Sequence, residues 1–269
     1  MAKNTALIWV IAVVITLASA VYQRMTGPTY ELKGSVQLAG ETISYELLRT
    51  HEGETDMPVS IAVPSDQFSG VVEWRRHKVD EQWQRISMAM EESTLVAYLP
   101  NQPPAGKLDY SVTLSAGEEE AVLSNKGRAV VTRFKGVVPG WILWPHVLAM
   151  FIGMLFSTRT GLEAIFRRHN LKRLTIWTFG LLFFGGMIMG PIVQYLAFGD
   201  LWTGVPLGWD LTDNKTLIMV VAWGWVLWAV IKEKQARGPA IVAAVLTLIV
   251  YLIPHSVLGS ELDYTAEGL

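Results

Sequence analysis

LTIWTFGLLFFGGMIMGPIVQYLAF, residues 174–198, carries no charged side chain. A hydrocarbon layer about 30 Å thick is crossed by about 20 apolar residues in a helix. This run is long enough, and it predicts a transmembrane helix. Four further apolar runs lie outward from it, at 6–22, 137–157, 216–231 and 238–254. The run at 216–231 is short unless the loop before it dips inward. Mostly polar sequence fills 27–135. The expected class is an α+β membrane protein. It has an N-terminal anchor over 1–25, a β domain over 27–135, a four-helix transmembrane bundle over 137–257 with a long loop at 199–215, and an acidic tail over 258–269.

The composition agrees. Hydrophobic residues make up 51% and charged residues 17%, where about 25% charged is usual for a soluble domain. That excludes disorder and argues against a soluble enzyme. Lys and Arg number 22 against 24 Asp and Glu, for a net charge of -2. No basic surplus is present to neutralise phosphates, so nucleic acid is excluded as a partner and the lipid bilayer is the first one expected. Cysteine is absent. Disulfides, thiolate nucleophiles, iron–sulfur clusters and cysteine zinc sites are therefore excluded together.

The first apolar run has two readings. The leading one is an uncleaved anchor; the alternative is a cleaved signal peptide, since Ala18-Ser19-Ala20 has the small-x-small form of a signal-peptidase site behind a short basic start at Lys3. Sidedness follows from the basic residues, which stay in the cytoplasm when loops are short. Residues 158–173 carry Arg159, Arg167, Arg168, Lys172 and Arg173 against Glu163, and 232–237 carry Lys232, Lys234 and Arg237 against Glu233. On the other side, Asp200, Asp210 and Asp213 stand against Lys215, and Glu261, Asp263 and Glu267 stand alone. The β domain, the 199–215 loop and the tail are thus expected outside, on a multi-pass protein of the bacterial inner (cytoplasmic) membrane.

Within 27–135, strands are expected at 42–48, 59–63, 70–75, 94–99, 108–114 and 129–134. Several alternate apolar and polar residues, as in Val59, Ile61 and Val63 or Tyr110, Val112 and Leu114. Turn residues separate them at 64–66, 100–106 and 116–117. A hairpin is expected between 70–76 and the run around Trp83. Short strands with turns at this spacing suggest an antiparallel β-sandwich of immunoglobulin or fibronectin-III type. His51 and His77 are read as solvated, as are the acids of a turn at Glu118, Glu119 and Glu120. The basic run Arg75-Arg76-His77-Lys78 suits anionic headgroups or an acidic partner, weakened by Asp80 and Glu81.

The bundle holds the candidate chemistry. Gly186 and Gly190 have the spacing that lets helix backbones approach in lipid. Pro145 and Pro191 should bend their helices. Trp141, Trp144, Trp202 and Trp209 suit the outer interface, which places His146 about one turn inside. Intramembrane ionisable residues are site candidates by default. Three readings compete for the outer-side group of His146, His255, Gln194, Trp202, Asp210, Asp213, Lys215 and Glu261. In the first, the 199–215 loop caps the bundle, with Asp213 or Thr212 capping the next helix. In the second, His146 and His255 hold a b-type haem, with Met150 on the same helix face, or His255, Asp210, Asp213 and Glu261 hold a metal ion. The third is a pocket for a lipid, a quinone or a solute.

No phosphate-binding loop, dinucleotide fingerprint, nucleophile elbow, zinc-protease helix or covalent-haem motif occurs. The leading expectation is a non-enzymatic subunit or interaction module of a cell-envelope membrane complex. Its β-sandwich would bind an extracytoplasmic or membrane protein partner. A haem- or metal-binding redox protein is the alternative.

Overall fold

A computed structural model of the chain describes residues 2–166, 169–254, 259 and 261–264. It divides into two units, one holding the helices and one holding the strands with residues 261–264.

The helical unit contains α1 (Ala2–Thr26), α2 (Gly140–Ile165), α3 (Leu171–Phe183), α4 (Gly190–Phe198), α5 (Leu211–Ile231) and α6 (Arg237–Leu252). A π-helical segment, Phe184–Met189, joins α3 to α4, so Leu171–Phe198 is one rod of 28 residues. Among the described residues, four helices are long and apolar enough to cross a membrane; α6, with 16 residues, is shorter. Large apolar side chains remain exposed along them, among them Val14, Leu17, Leu148, Trp177, Val221 and Val245, as contact with lipid tails requires. The inner faces meet in a core of Met154, Leu182, Met219, Trp223, Ala240 and Val250.

Several boundaries differ from the sequence reading because polar residues are accommodated inside the helices. Arg159 and Glu163 were expected in a cytoplasmic loop. They lie instead inside α2, 2.6 Å apart one helical turn from each other, with side chains 2% and 0% exposed. Pairing each with the other lets the helix continue past two charges. Likewise α5 begins at Leu211 rather than 216, because its polar first turn is capped and held.

Small residues set the helix spacing. A Cβ added to Gly153 would lie 2.7 Å from Leu182, and one on Gly186 2.7 Å from Thr216. On α1, Ala12, Thr16 and Ser19 are buried, and the Thr16 and Ser19 hydroxyls donate back to the Ala12 and Ile15 carbonyls. The small-x-small triplet thus sits within a packed helix that contacts α2 and α6.

The strand unit contains β1 (Leu32–Leu38), β2 (Glu41–Leu47), β3 (Thr50–Glu52), β4 (Met57–Ala62), β5 (Phe68–Arg76), β6 (Gln84–Ser87), β7 (Ala89–Glu91), β8 (Thr94–Leu99), β9 (Lys107–Ala116), β10 (Glu119–Leu123) and β11 (Val130–Lys135). One sheet has the order β3-β11-β9-β5-β6, with β10 also pairing β9; a second is β4-β8-β7; a third is the β1-β2 hairpin. Alternate residues of all three sheets enter one core, including Ile43, Val59, Ile61, Val72, Leu95, Leu99, Tyr110, Val112 and Phe134. The expected hairpin forms, with Trp74 opposite Gln84. The chain changes sheets at buried Met88, between β6 and β7.

The acids read as a turn are partly strand. Glu119 and Glu120 pair with Ala116 and Ser115, and Glu119 accepts a 2.8 Å hydrogen bond from the Ala39 amide. His77 is half-buried and paired, its Nδ1 2.6 Å from Asp109 Oδ1. His51 is half-buried, and its Nε2 bonds to the Thr55 carbonyl.

Candidate functional site

The 199–215 loop is pinned by two acids and an amide. Asp213 Oδ2 accepts from the amides of Thr203 (2.7 Å) and Gly204 (3.1 Å), from Gln194 Nε2 (3.1 Å) and from the Thr203 hydroxyl (3.2 Å). Asn214 Oδ1 accepts from the Val205 amide at 2.7 Å. Asp210, rather than Asp213 or Thr212, caps α5, accepting from the amides of Thr212 and Asp213. Asp213 is turned inward to the loop, which leaves the cap to the preceding acid. Trp202 donates to the Val205 carbonyl. These bonds fold the loop over itself.

Lys215 is 4% exposed. Its ammonium donates to the carbonyls of Ile253 (2.8 Å) and Pro254 (3.4 Å), at the C-terminal end of α6. Helix ends leave such carbonyls without an intrahelical partner, and a lysine supplies one. One side chain thereby ties the start of α5 to the end of α6.

His146 lies on α2 beside the π segment. Its Nδ1 is 2.9 Å from the Gly185 carbonyl. A carbonyl only accepts, so Nδ1 carries the proton and the neutral ring offers Nε2 as its acceptor. The π segment itself follows from Pro191, which has no amide to donate and whose ring crowds the carbonyl four residues back. A wider turn relieves both. Gly185 then admits α2: a Cβ there would lie 2.9 Å from Met150 Sδ. Met150 packs against these glycines, and its carbonyl accepts from Tyr251 at 2.6 Å.

The candidate residues thus fall into separate groups. Gln194 joins Asp213; Asp210, Trp202 and Lys215 each serve helix or loop ends; His146 and Met150 face the π segment. Glu261 belongs to the strand unit. His255 lies outside the described residues. Among the described residues, no group of three His, Cys, Asp or Glu is placed to hold a metal ion.

A second polar site on the strand unit was not foreseen. Residues 261–264 of the tail lie against the end of β5 and the start of β9. Glu261 bridges the ammonium groups of Lys78 and Lys107. The Leu262 amide donates to the Ala105 carbonyl. The Tyr264 hydroxyl accepts from the Lys107 amide at 2.9 Å and lies 3.1 Å from both Gln102 Oε1 and the Lys107 carbonyl. The Arg76 guanidinium sits 5.4 Å from the Tyr264 ring centre. Burial pushes the Lys107 ammonium down and the Tyr264 phenol up. Burial would also raise the Glu261 carboxyl, but hydrogen bonds and charge from Lys107 and Lys78 outweigh it and hold it at about 2. Glu261 was read as a metal candidate because the sequence shows an acid near a histidine, not the lysines waiting far upstream.

Compared with family models, curated proteins and solved structures, the chain finds no match.

Proposed function

We propose that this chain is a non-enzymatic, multi-pass subunit of a bacterial cell-envelope complex, whose strand unit binds a partner protein on the extracytoplasmic side. The observation that carries this reading is the strand order. Taking β4 and β8 as strands B and E, and β5, β6, β9 and β10/β11 as C, C′, F and G, gives pairings that support an immunoglobulin-like reading. Trp74 on the C-equivalent strand is buried at 8% exposed, and Tyr110 on the F-equivalent strand donates its hydroxyl to the Leu48 carbonyl. The chain departs from antibody domains in having no cysteine for the inter-sheet bridge. Sandwiches of this kind serve mainly as binding modules.

Site-specific crosslinking tests the reading. A photoreactive residue at exposed Tyr98 or Val122 is expected to give one discrete adduct in intact cells, and one at exposed Lys234 none of the same mass. Absence of any adduct from every exposed strand position would overturn it. The cysteine-free chain also allows single-cysteine labelling. Asp66→Cys should react with an impermeant maleimide from outside, and Glu233→Cys should not.

A second reading is supported by His146. Metal-ligating histidines donate one ring nitrogen to a carbonyl and ligate through the other, and π segments recur at functional sites. His146 has that arrangement, and His255 would be its partner across a haem. A Soret band in the purified protein, lost in His146→Ala and His255→Ala, would support this reading; a colourless, metal-free preparation would end it.

A further inference from the structure

We infer that the cleft at the end of β5 and the start of β9 is a recognition seat for an extended acidic peptide of the form Glu-x-x-Tyr. The chain's own residues 261–264 fill it in cis, and an acidic, tyrosine-bearing segment of the partner fills it in trans. The inference rests on the binding role proposed above and names the surface and the chemistry of what is bound.

The seat reads its occupant at two points. At one end two lysines from separate segments, Lys78 and Lys107, converge on one carboxylate. At the other, a phenol hydroxyl meets both backbone groups of Lys107 and the side-chain oxygen of Gln102. The floor beneath it is Gly106, where a Cβ would lie 2.8 Å from that hydroxyl. Between the two ends, the occupant's backbone bonds to Ala105. Two side-chain anchors joined by main-chain bonding are how extended peptides are read.

Two features separate a seat from a fixed part of the fold. Tyr264 is buried but is not among the residues that pack together as the apolar core of the strand unit, so emptying the cleft leaves that cluster's own contacts in place. A cavity of about 270 Å³ also remains beside the tail, lined by His77, Lys78, Val79 and Lys107 along with the tail itself. The seat is therefore larger than its present occupant. The surrounding basic run Arg75-Arg76-His77-Lys78 favours an acidic ligand, although Glu81 holds Arg76 and Asp109 holds His77.

A tethered tail competes at an effective concentration in the millimolar range. A fluorescent peptide of residues 259–266 (GSELDYTA) is therefore titrated against the full chain in nanodiscs. It is expected to bind the Glu261→Ala/Tyr264→Ala variant saturably, and the unaltered protein at least about tenfold more weakly. Adding Lys78→Ala and Lys107→Ala should abolish binding, and a peptide with Ala for its Glu and Tyr should not bind. No binding to a vacated variant whose circular dichroism matches the unaltered protein overturns the inference, as does equal affinity for both. Should the vacated variant fail to fold, hydrogen exchange on the unaltered protein decides. Excess peptide is expected to speed exchange at the Leu262 amide, and unchanged protection counts against the seat. A crosslinked partner adduct that persists undiminished in Lys78→Ala/Lys107→Ala sinks the seat alone. Peptide binding with no adduct on the strand unit sinks the partner reading alone.

Discussion

Replacing Asp213 by alanine tests how the outer loop is held. The side chain is 6% exposed, and one oxygen receives two backbone amides, a carboxamide and a hydroxyl. Gln194 and the Thr203 hydroxyl can rotate toward new partners once the acid is gone. The amides of Thr203 and Gly204 cannot, because the loop backbone fixes them. A buried donor left without its acceptor costs about 1–3 kcal/mol. Taking the lower half of that range for each of the two amides gives a destabilisation of about 2–4 kcal/mol for Asp213→Ala. Asp213→Asn retains one acceptor oxygen and should cost about half as much. Equilibrium unfolding in mixed micelles, followed by circular dichroism, measures the difference, and hydrogen exchange reports on the two amides directly. Asp213→Ala within about 0.5 kcal/mol of the unaltered protein, with both amides still protected, would refute the assignment of Asp213 as the loop's anchor.

Other perturbations reach different parts of the molecule. Glu163→Ala leaves Arg159 buried without its partner and frees the Asn170 amide that Glu163 also receives, so it should cost about 3–5 kcal/mol. The double variant Arg159→Met/Glu163→Leu should cost less than that single change, and additivity in the same unfolding assay would show the pair to be uncoupled. Tyr110→Phe removes the 2.7 Å bond to Leu48 from the strand core and should cost about 1 kcal/mol; an unchanged midpoint of denaturation would contradict it. Acid should release the tail. Glu261 titrates at about 2 in the fold and near 4.3 in an unfolded chain. A depressed carboxyl contributes its stability above the unfolded value and loses it as pH falls through the folded one. Protection of residues 261–264 from exchange should therefore be full above about pH 4.5 and fade toward about pH 2. A release midpoint near neutrality would assign it to other groups.

The membrane helices were legible because lipid demands long uncharged runs, and nothing else in the chain produces them. Their ends were less legible. Arg159 and Glu163 look like loop residues when counted singly, yet cancel when spaced one turn apart inside a helix. The strands that carry the core were also readable, since Val59, Ile61 and Val63 or Tyr110, Val112 and Leu114 alternate inward. The strands that escaped, β1, β3, β7 and β10, contribute few buried residues. Edge strands add backbone bonds rather than apolar mass, so they leave little pattern to find. The tail seat was illegible for another reason. Lys78, Gly106 and Lys107 are distant in sequence from Glu261 and Tyr264, and no local spacing announces that they meet.

The polar residues of the helical unit share one logic. A helix in lipid satisfies its own backbone except at its ends and at defects. Asp210 serves the amides at the start of α5, Lys215 the carbonyls at the end of α6, and Asp213 the amides of the loop between rods. Asp210 and Asp213 were expected as possible metal ligands and Lys215 as part of the outer polar cluster, and each is hydrogen-bonded to backbone. His146 meets the same demand at a defect, since the carbonyl it receives belongs to the π segment before Pro191. It differs in one respect that chemistry fixes. A carboxylate oxygen or an ammonium group can be wholly used by the backbone, whereas an imidazole that gives its proton to a carbonyl keeps a second nitrogen with a lone pair. Among the described residues of this bundle, His146 Nε2 is therefore the place to test for ligand chemistry. His146→Gln, which can keep a donor toward Gly185 while deleting that nitrogen, separates the structural role from the chemical one. Retained stability with loss of a bound chromophore or metal would identify the ring as a ligand. Retained stability with no other change would leave it a backbone partner like the rest.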